Sequence, residues 1–219
     1  IPSFSVERAQ LMMLIFWRLL KQNKIPKVQM IMDSPMGANV LELFHRTRDW
    51  HRLEDAECDE ICSHFTVVSS YRETMELRSD DTPKIVIAGS GMLTGGRMLN
   101  YLETQAQKPK NTLLFVGYQA EGTRGRKLLD GDRELRVYGK TVSFQMEVAE
   151  IEGLSAHADH AELLDWLSKV EQKPERIFIV HGEKEGAEAL QKGIKETYDW
   201  DSEIPKLYSI ESVETFQNS

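Results

Sequence analysis

The stretch Gly153-Leu-Ser-Ala-His157-Ala-Asp159, followed twenty-four residues after its histidine by His181-Gly182-Glu183, decides how the chain is read. Residues 147–154 read as a strand. Asp159-His160-Ala161-Glu162 fits a capping box, with Asp159 as N-cap and Glu162 three residues on, and opens an amphipathic helix through Lys169. His157 is thereby placed in a strand-to-helix turn. Residues 176–180, Arg-Ile-Phe-Ile-Val, form a short apolar run of the buried parallel-strand type, so His181 emerges at a carboxyl end and Gly182 lets the chain turn into the next helix. In open α/β sheets that edge is where ligands bind. Either histidine alone would suit an ordinary loop position satisfied by backbone. The paired placement, which is expected to set them beside each other, makes them candidates.

Working outward, the rest of the chain alternates strand and helix. Ser5 is a candidate cap for a helix over 6–23 with a wide apolar face. A strand follows over 28–32, then Asp33-Ser34-Pro35 as a helix start with proline in the first turn, and a helix to about Trp50. Residues 51–81 read as one or two helices with a weak strand at 66–68. A buried strand over 84–88 runs into a glycine loop, with a helix over 97–105 and a strand over 112–116 beyond it. The fold class expected is α/β, a parallel sheet with helices on both faces. A short helix before Gly131 and strands over 136–139 and 141–151, able to form a hairpin, end the alternation. Strand, helix, strand, helix and a closing strand over 206–210 complete the chain.

Composition sets limits. The chain has 219 residues, 41% hydrophobic and 28% charged, ordinary values for a globular protein with room for one large or two small domains. The longest apolar run, seven residues from Leu11 to Trp17, is far short of the roughly twenty needed to span a membrane. No membrane partner is expected. Cys58 and Cys62, at i,i+4 spacing in an acidic segment, suit reduced thiols in a cytoplasmic protein; with His64 nearby they lack a fourth ligand and a recognisable zinc spacing. A net charge of −8 argues against a general nucleic-acid coat. The acidity is local, however: residues 42–81 hold eleven Asp and Glu against five Lys and Arg, whereas 117–140 hold six Lys and Arg against four Asp and Glu. A polyanion must meet the second region. The chain begins at Ile1 in a Pro-Ser loop, as a piece of something longer would.

Ser90-Gly91-Met-Leu-Thr94-Gly95-Gly96-Arg97 joins a strand end to a helix start, where exposed backbone N–H groups and the helix dipole attract anions. It is neither a Walker loop nor G-x-G-x-x-G, and such turns also occur without any ligand. Arg124 and Arg126, at the next strand end, offer guanidinium forks suited to phosphate oxygens, or else form a solvated basic turn.

Ser155-Ala156-His157-Ala158-Asp159 with Val180-His181-Gly182-Glu183 resembles motifs B and C of the β-CASP branch of metallo-β-lactamase-fold nucleases. Ile1-Pro-Ser-Phe-Ser-Val-Glu-Arg-Ala-Gln10, Asp33-Ser-Pro-Met36, the glycine loop and Gly117-Tyr-Gln-Ala-Glu-Gly122 extend the resemblance, in order, over most of the chain. It implies a β-CASP domain over 1–147, lacking its start, and a returning metallo-β-lactamase segment over 148–219, with the boundary near 145–148. It also implies a ribonuclease hydrolysing RNA with two zinc ions. In that reading His181 is a zinc ligand, His157 is the acid beside the leaving group, and Ser3, Arg8 and Ser155 join the glycine loop in contacting RNA. Histidine in place of valine at motif C points to the RNA-processing side. Glu7 departs from the family's more common glycine. No H-x-H-x-D-H occurs, so the partners implied are RNA, a preceding metallo-β-lactamase domain of the same chain and a second copy in a homodimer. The piece alone is expected to hold no zinc and to cleave nothing. A non-catalytic RNA-binding or scaffold homologue is the alternative.

Overall fold

The computed structural model describes residues 1–212, which form two compact units divided between Ser155 and Ala156. The first contains α1 (Arg8–Lys21), β1 (Gln29–Asp33), α2 (Pro35–Arg46), a 3₁₀ turn (Arg48–Trp50), α3 (Asp55–His64), β2 (Thr66–Val68) and α4 (Tyr71–Ser79). It continues with β3 (Lys84–Ala88), α5 (Met98–Gln105), β4 (Thr112–Phe115), α6 (Arg124–Leu129), β5 (Glu134–Val137), β6 (Lys140–Ser143) and β7 (Glu147–Glu150). β1 is the centre of a parallel sheet of order β2-β1-β3, with Ile31 opposite Thr66 on one side and Val86 on the other. The chain start lies along the far edge of β3, where Ser3 N donates to Ala88 O (2.9 Å) and Ala88 N to Ile1 O (3.0 Å).

The expected parallel pairing is present but divided. β4 pairs in parallel with β7, while β5 and β6 make a separate antiparallel hairpin. The hairpin therefore spans 134–143 and not 136–151. Its Tyr138-Gly139 turn, with φ of 49° and 80°, has the two left-handed residues that fix a tight register. Beyond it, Gln145 N and Met146 N both donate to Ala106 O and lead the chain away to β4.

Side chains alternate across the strands, so β3 and β4 feed a core on each face. Ile87 and Val116, together with Met30 and Met32, pack under Met12, Met13 and Trp17 of α1 and Ile61 of α3. Ala88, Leu113 and Phe115 pack with Leu99 and Leu102 of α5, Leu128 of α6 and Val142 of the hairpin. Helices thus cover both faces, as the pattern predicts.

α1 begins two residues later than expected, and Ser5 does not cap it. Its hydroxyl meets that of Ser34 at 2.9 Å, and the helix is entered through a tight turn at Glu7 (φ 60°, ψ −54°), where Arg8 N donates to Val6 O at 2.7 Å. That i→i+2 bond makes a γ-turn, a strained conformation for a residue with a Cβ. Ser34 behaves as expected, its hydroxyl accepting from Gly37 N at 3.0 Å to cap α2.

The second unit holds α7 (His160–Leu167) and α8 (Lys184–Tyr198), and its core gathers Ile179, Ala187 and Ile194 with Leu164, Leu167, Leu190 and Trp200. The capping box is complete: Glu162 N donates to Asp159 Oδ1 and Asp159 N to Glu162 Oε2, each at 2.9 Å. Two expected strands are corrected. Residues 176–180 contribute only an isolated parallel bridge from Phe178 to Glu203, closed by Ile179 N to Glu203 O and Glu203 N to Ile177 O. Residues 206–210 are not a strand. Pro205 removes a ladder donor and Tyr208 turns the chain at φ 66°.

Candidate functional site

β1 and β3 end side by side at Asp33 and Ala88, and above that carboxyl edge lies a cleft of about 790 Å³. Its walls are the 3–6 loop, the start of α2 at Ser34, Pro35 and Met36, Tyr71, and the glycine loop at Gly89, Ser90, Gly96 and Arg97. Phe4, Met36 and Tyr71 are each more than half exposed, at 52%, 63% and 58%. Exposed rings in a concave site give nucleobases a surface on which to stack.

The glycine loop is built for close approach of its own neighbours. A Cβ on Gly96 would fall 2.6 Å from the Gly89 carbonyl, and φ there is 72°; one on Gly91 would fall 2.7 Å from the Phe4 ring. Ser90 Oγ lies 3.1 Å from Thr94 Oγ1 and accepts from Thr94 N, which closes the loop on itself. Gly95 has open space around it.

The arginines that the sequence offers to phosphate are engaged with the protein. Arg97 Nη1 donates to Thr74 Oγ1 (2.8 Å) and Nη2 to Ser69 O (2.9 Å), and its guanidinium lies 5.2 Å from the Tyr71 ring centroid. Its Nε stands 4.0 Å from Oδ1 of Asp33, a fully buried carboxylate whose other oxygen accepts from Tyr101 Oη at 2.7 Å. Burial, then that hydrogen bond, holds the Tyr101 phenol far above its ordinary value. Arg124 Nε donates to Arg136 O and Nη1 to Leu93 O, which clamps α6 to the glycine loop and to the hairpin. Arg126 Nε pairs with Asp130 at 2.9 Å. Arg8 Nη1 is buried without a hydrogen-bond acceptor among the described residues. Ser3 is buried, its hydroxyl donating to Phe4 O.

The glycine loop and the 117–125 loop, placed by sequence on neighbouring strand ends, do meet. Buried Gln119 joins them, donating through Nε2 to Gly91 O (3.0 Å), and Gly125 N donates to Met92 O. Gln119, Phe4, Tyr71 and Asp33 are residues that sequence reading did not single out. One signal was present: Ser70 and Glu73 form a full capping box that places Tyr71 at the first position of α4.

In the second unit His157 and His181 are both exposed. Each stands two residues before the N-cap of a helix, Asp159 for α7 and Glu183 for α8, and the two helices pack together with Tyr198 Oη donating to Leu164 O at 2.6 Å. His181 itself makes the turn, at φ 63°, where Gly182 was expected to do so; histidine is among the residues enriched in that conformation. Ser155, at the end of the first unit, is exposed.

Fold and cleft together define an α/β domain with a candidate binding cleft at the carboxyl edge of a parallel sheet. The chain belongs to the Beta-Casp family: the Beta-Casp domain model matches residues 9–128, and a Zn-dependent metallo-hydrolase RNA specificity domain matches residues 141–205. It is 35% identical over 204 residues to Ribonuclease TTHA0252 of Thermus thermophilus, covering 88% of this chain and 44% of that protein. It is 30% identical over 205 residues to the transcription termination factor FttA of Methanosarcina mazei, covering 89% and 32%. The FttA of Pyrococcus horikoshii matches at 39% over 146 residues, covering 64% and 22%. The chain therefore spans less than half the length of these curated relatives.

The zinc that the second description implies needs at least three protein ligands. Among the described residues one set of three or more potential ligands comes together within 4.8 Å, and neither His157 nor His181 belongs to it. An exposed imidazole at His181 is one ligand. Among the described residues, then, none gathers with His157 or His181 into a set of three.

Proposed function

We propose that this chain is the RNA-holding part of a Zn-dependent RNA phosphodiesterase, a β-CASP domain followed by a returning metallo-β-lactamase segment. The cleft at the carboxyl edge of β1 and β3 carries the reading, because it sets exposed Phe4 and Tyr71 beside a glycine loop. Its rings take bases without regard to sequence, and the open space around Gly95 leaves backbone for the phosphates between them. Arg97 and Arg124 act by fixing the loop, since their N–H groups are directed to Thr74, Ser69, Leu93 and Arg136. The family description, which names RNA specificity and a Zn-dependent hydrolase, and the ribonuclease among the relatives support the same reading.

His157 protonates the departing oxygen and His181 completes a zinc centre whose other ligands lie outside this chain. Histidine suits both tasks, as a group titrating near neutrality and as a neutral imidazole ligand. In a longer protein that carries the remaining ligands, His181→Ala lowers zinc content and activity together. His157→Ala leaves zinc bound and slows cleavage by about 10²–10⁴-fold, the usual loss for a general acid. Metal analysis of the two purified variants tests the assignment, and equal zinc loss in both would refute it.

A further inference from the structure

We infer that His45, Cys58 and Cys62 form a binding site for a thiophilic divalent cation of the zinc class, remote in function from His157 and His181. Sequence spacing alone pairs the two cysteines with His64, but the fold selects a different histidine. His64 Nδ1 turns to Glu60 O at 2.8 Å, while His45, from the last turn of α2, brings its ring to the cysteines. One nitrogen and two sulfurs then lie within 4.8 Å of one another. Zinc holds sulfur at about 2.3 Å and imidazole nitrogen at about 2.0–2.1 Å, so two ligands on one tetrahedral ion stand roughly 3.5–3.8 Å apart. Small side-chain rotations close that difference.

The scaffold is already in place. Cys58 and Cys62, one turn apart on α3, present their sulfurs on one face. Arg48, in the 3₁₀ turn, fixes the connection: its Nε donates to His45 O at 3.2 Å, and it pairs with Asp55 (3.2 Å) and Asp59 (2.8 Å) of α3. Those two carboxylates offset its charge beside the site. Asp59 Oδ1 lies 3.5 Å from His45 Nδ1, but Arg48 Nη2 stands nearer, at 3.1 Å; a guanidinium only donates, so Nδ1 accepts from Arg48, and an ion bound there displaces that contact. Both cysteines line a cavity of about 330 Å³, open to solvent, which gives an ion its way in. The acidic excess of residues 42–81 favours a cation there. Without an ion the thiols stay protonated, since burial and the neighbouring Cys58 push Cys62 up to about 11; a cation binds by displacing those protons. The bound ion would join α2 to α3 across the 3₁₀ turn. It also revises the expectation that this chain alone holds no zinc, because that expectation set the two cysteines beside His64 and not His45.

The test uses the purified chain under reducing conditions, titrated with zinc alone, and RNA plays no part in the readout. One zinc per chain is expected to survive gel filtration. Cys58→Ser with Cys62→Ser removes it, and His181→Ala leaves it unchanged. Cobalt in place of zinc gives a sulfur-to-metal charge-transfer band that the double serine variant lacks. Since Cys58 is buried, thermal unfolding shows whether that variant folds, and half-buried His45→Gln, which must also lower zinc affinity, stands in if it does not. Absence of bound zinc, equal zinc in the double serine variant, or a Cys58 to Cys62 disulfide in freshly reduced protein would overturn the inference.

Discussion

At Glu7 the backbone takes φ 60° and ψ −54°, a conformation that glycine adopts far more readily than glutamate. The departure from the family's usual glycine, visible in sequence as a mismatch, thus has a structural cost of about 1–3 kcal/mol. Glu7→Gly is expected to recover at least about 1 kcal/mol of stability, read as a higher melting temperature; an unchanged or lower one would show the turn to be unstrained. Arg97 makes the opposite case. Its residue type pointed to phosphate, yet its side chain is only 16% exposed and stands against the buried carboxylate of Asp33. Arg97→Met leaves that charge uncompensated and is expected to destabilise the fold by about 3–5 kcal/mol in urea denaturation. Full stability with weakened RNA binding would instead return Arg97 to the phosphate role. Residue type is legible in sequence. Which acceptor a guanidinium finds is settled by distant segments such as Ser69 and Thr74, which no local pattern connects to it.

Elements were legible where the pattern is local. β2 and β3 lie at the residues that their apolar runs mark, and the Asp159 capping box starts α7 as written. The reading failed where a strand's partner is remote: residues 147–150 leave the hairpin for β4, and 176–180 find a single bridge at Glu203. Between elements, α4 and α5 are tied by Arg78 and Glu103 at 2.6 Å, with Lys140 at 3.1 Å from the other carboxylate oxygen. Chiefly the Arg78 hydrogen bond, and then that of Lys140, holds the Glu103 carboxyl below its ordinary value. A depressed folded value means the contribution is present above the unfolded value of about 4.3 and is lost as pH falls through the folded one. Glu103→Gln should therefore lower the urea midpoint at pH 7, by no more than about 1 kcal/mol for so accessible a pair. The gap to wild type should close in acid. A gap independent of pH would mean that the ion pair contributes nothing.

Across the whole molecule the two units differ in what they can do alone. The first has apolar cores on both faces of its strands, whereas the second gathers a small one around Ile179, Ala187 and Ile194 and leaves Trp166 68% and Leu207 83% exposed. The first unit also carries the cleft where RNA retention is proposed, while the described residues gather no set of three ligands around His181. The central claim, that this chain holds RNA without being a complete nuclease, is tested most directly by mixing it with zinc and an end-labelled, unstructured RNA. Binding is read by anisotropy across a salt series and strand length on a gel. The account predicts binding that weakens with salt as phosphate contacts release counterions, a loss of about 1–3 kcal/mol in Phe4→Ala and in Tyr71→Ala, and RNA of unchanged length. Chelator-sensitive cleavage by the chain alone, or binding indifferent to salt and to both rings, would contradict it.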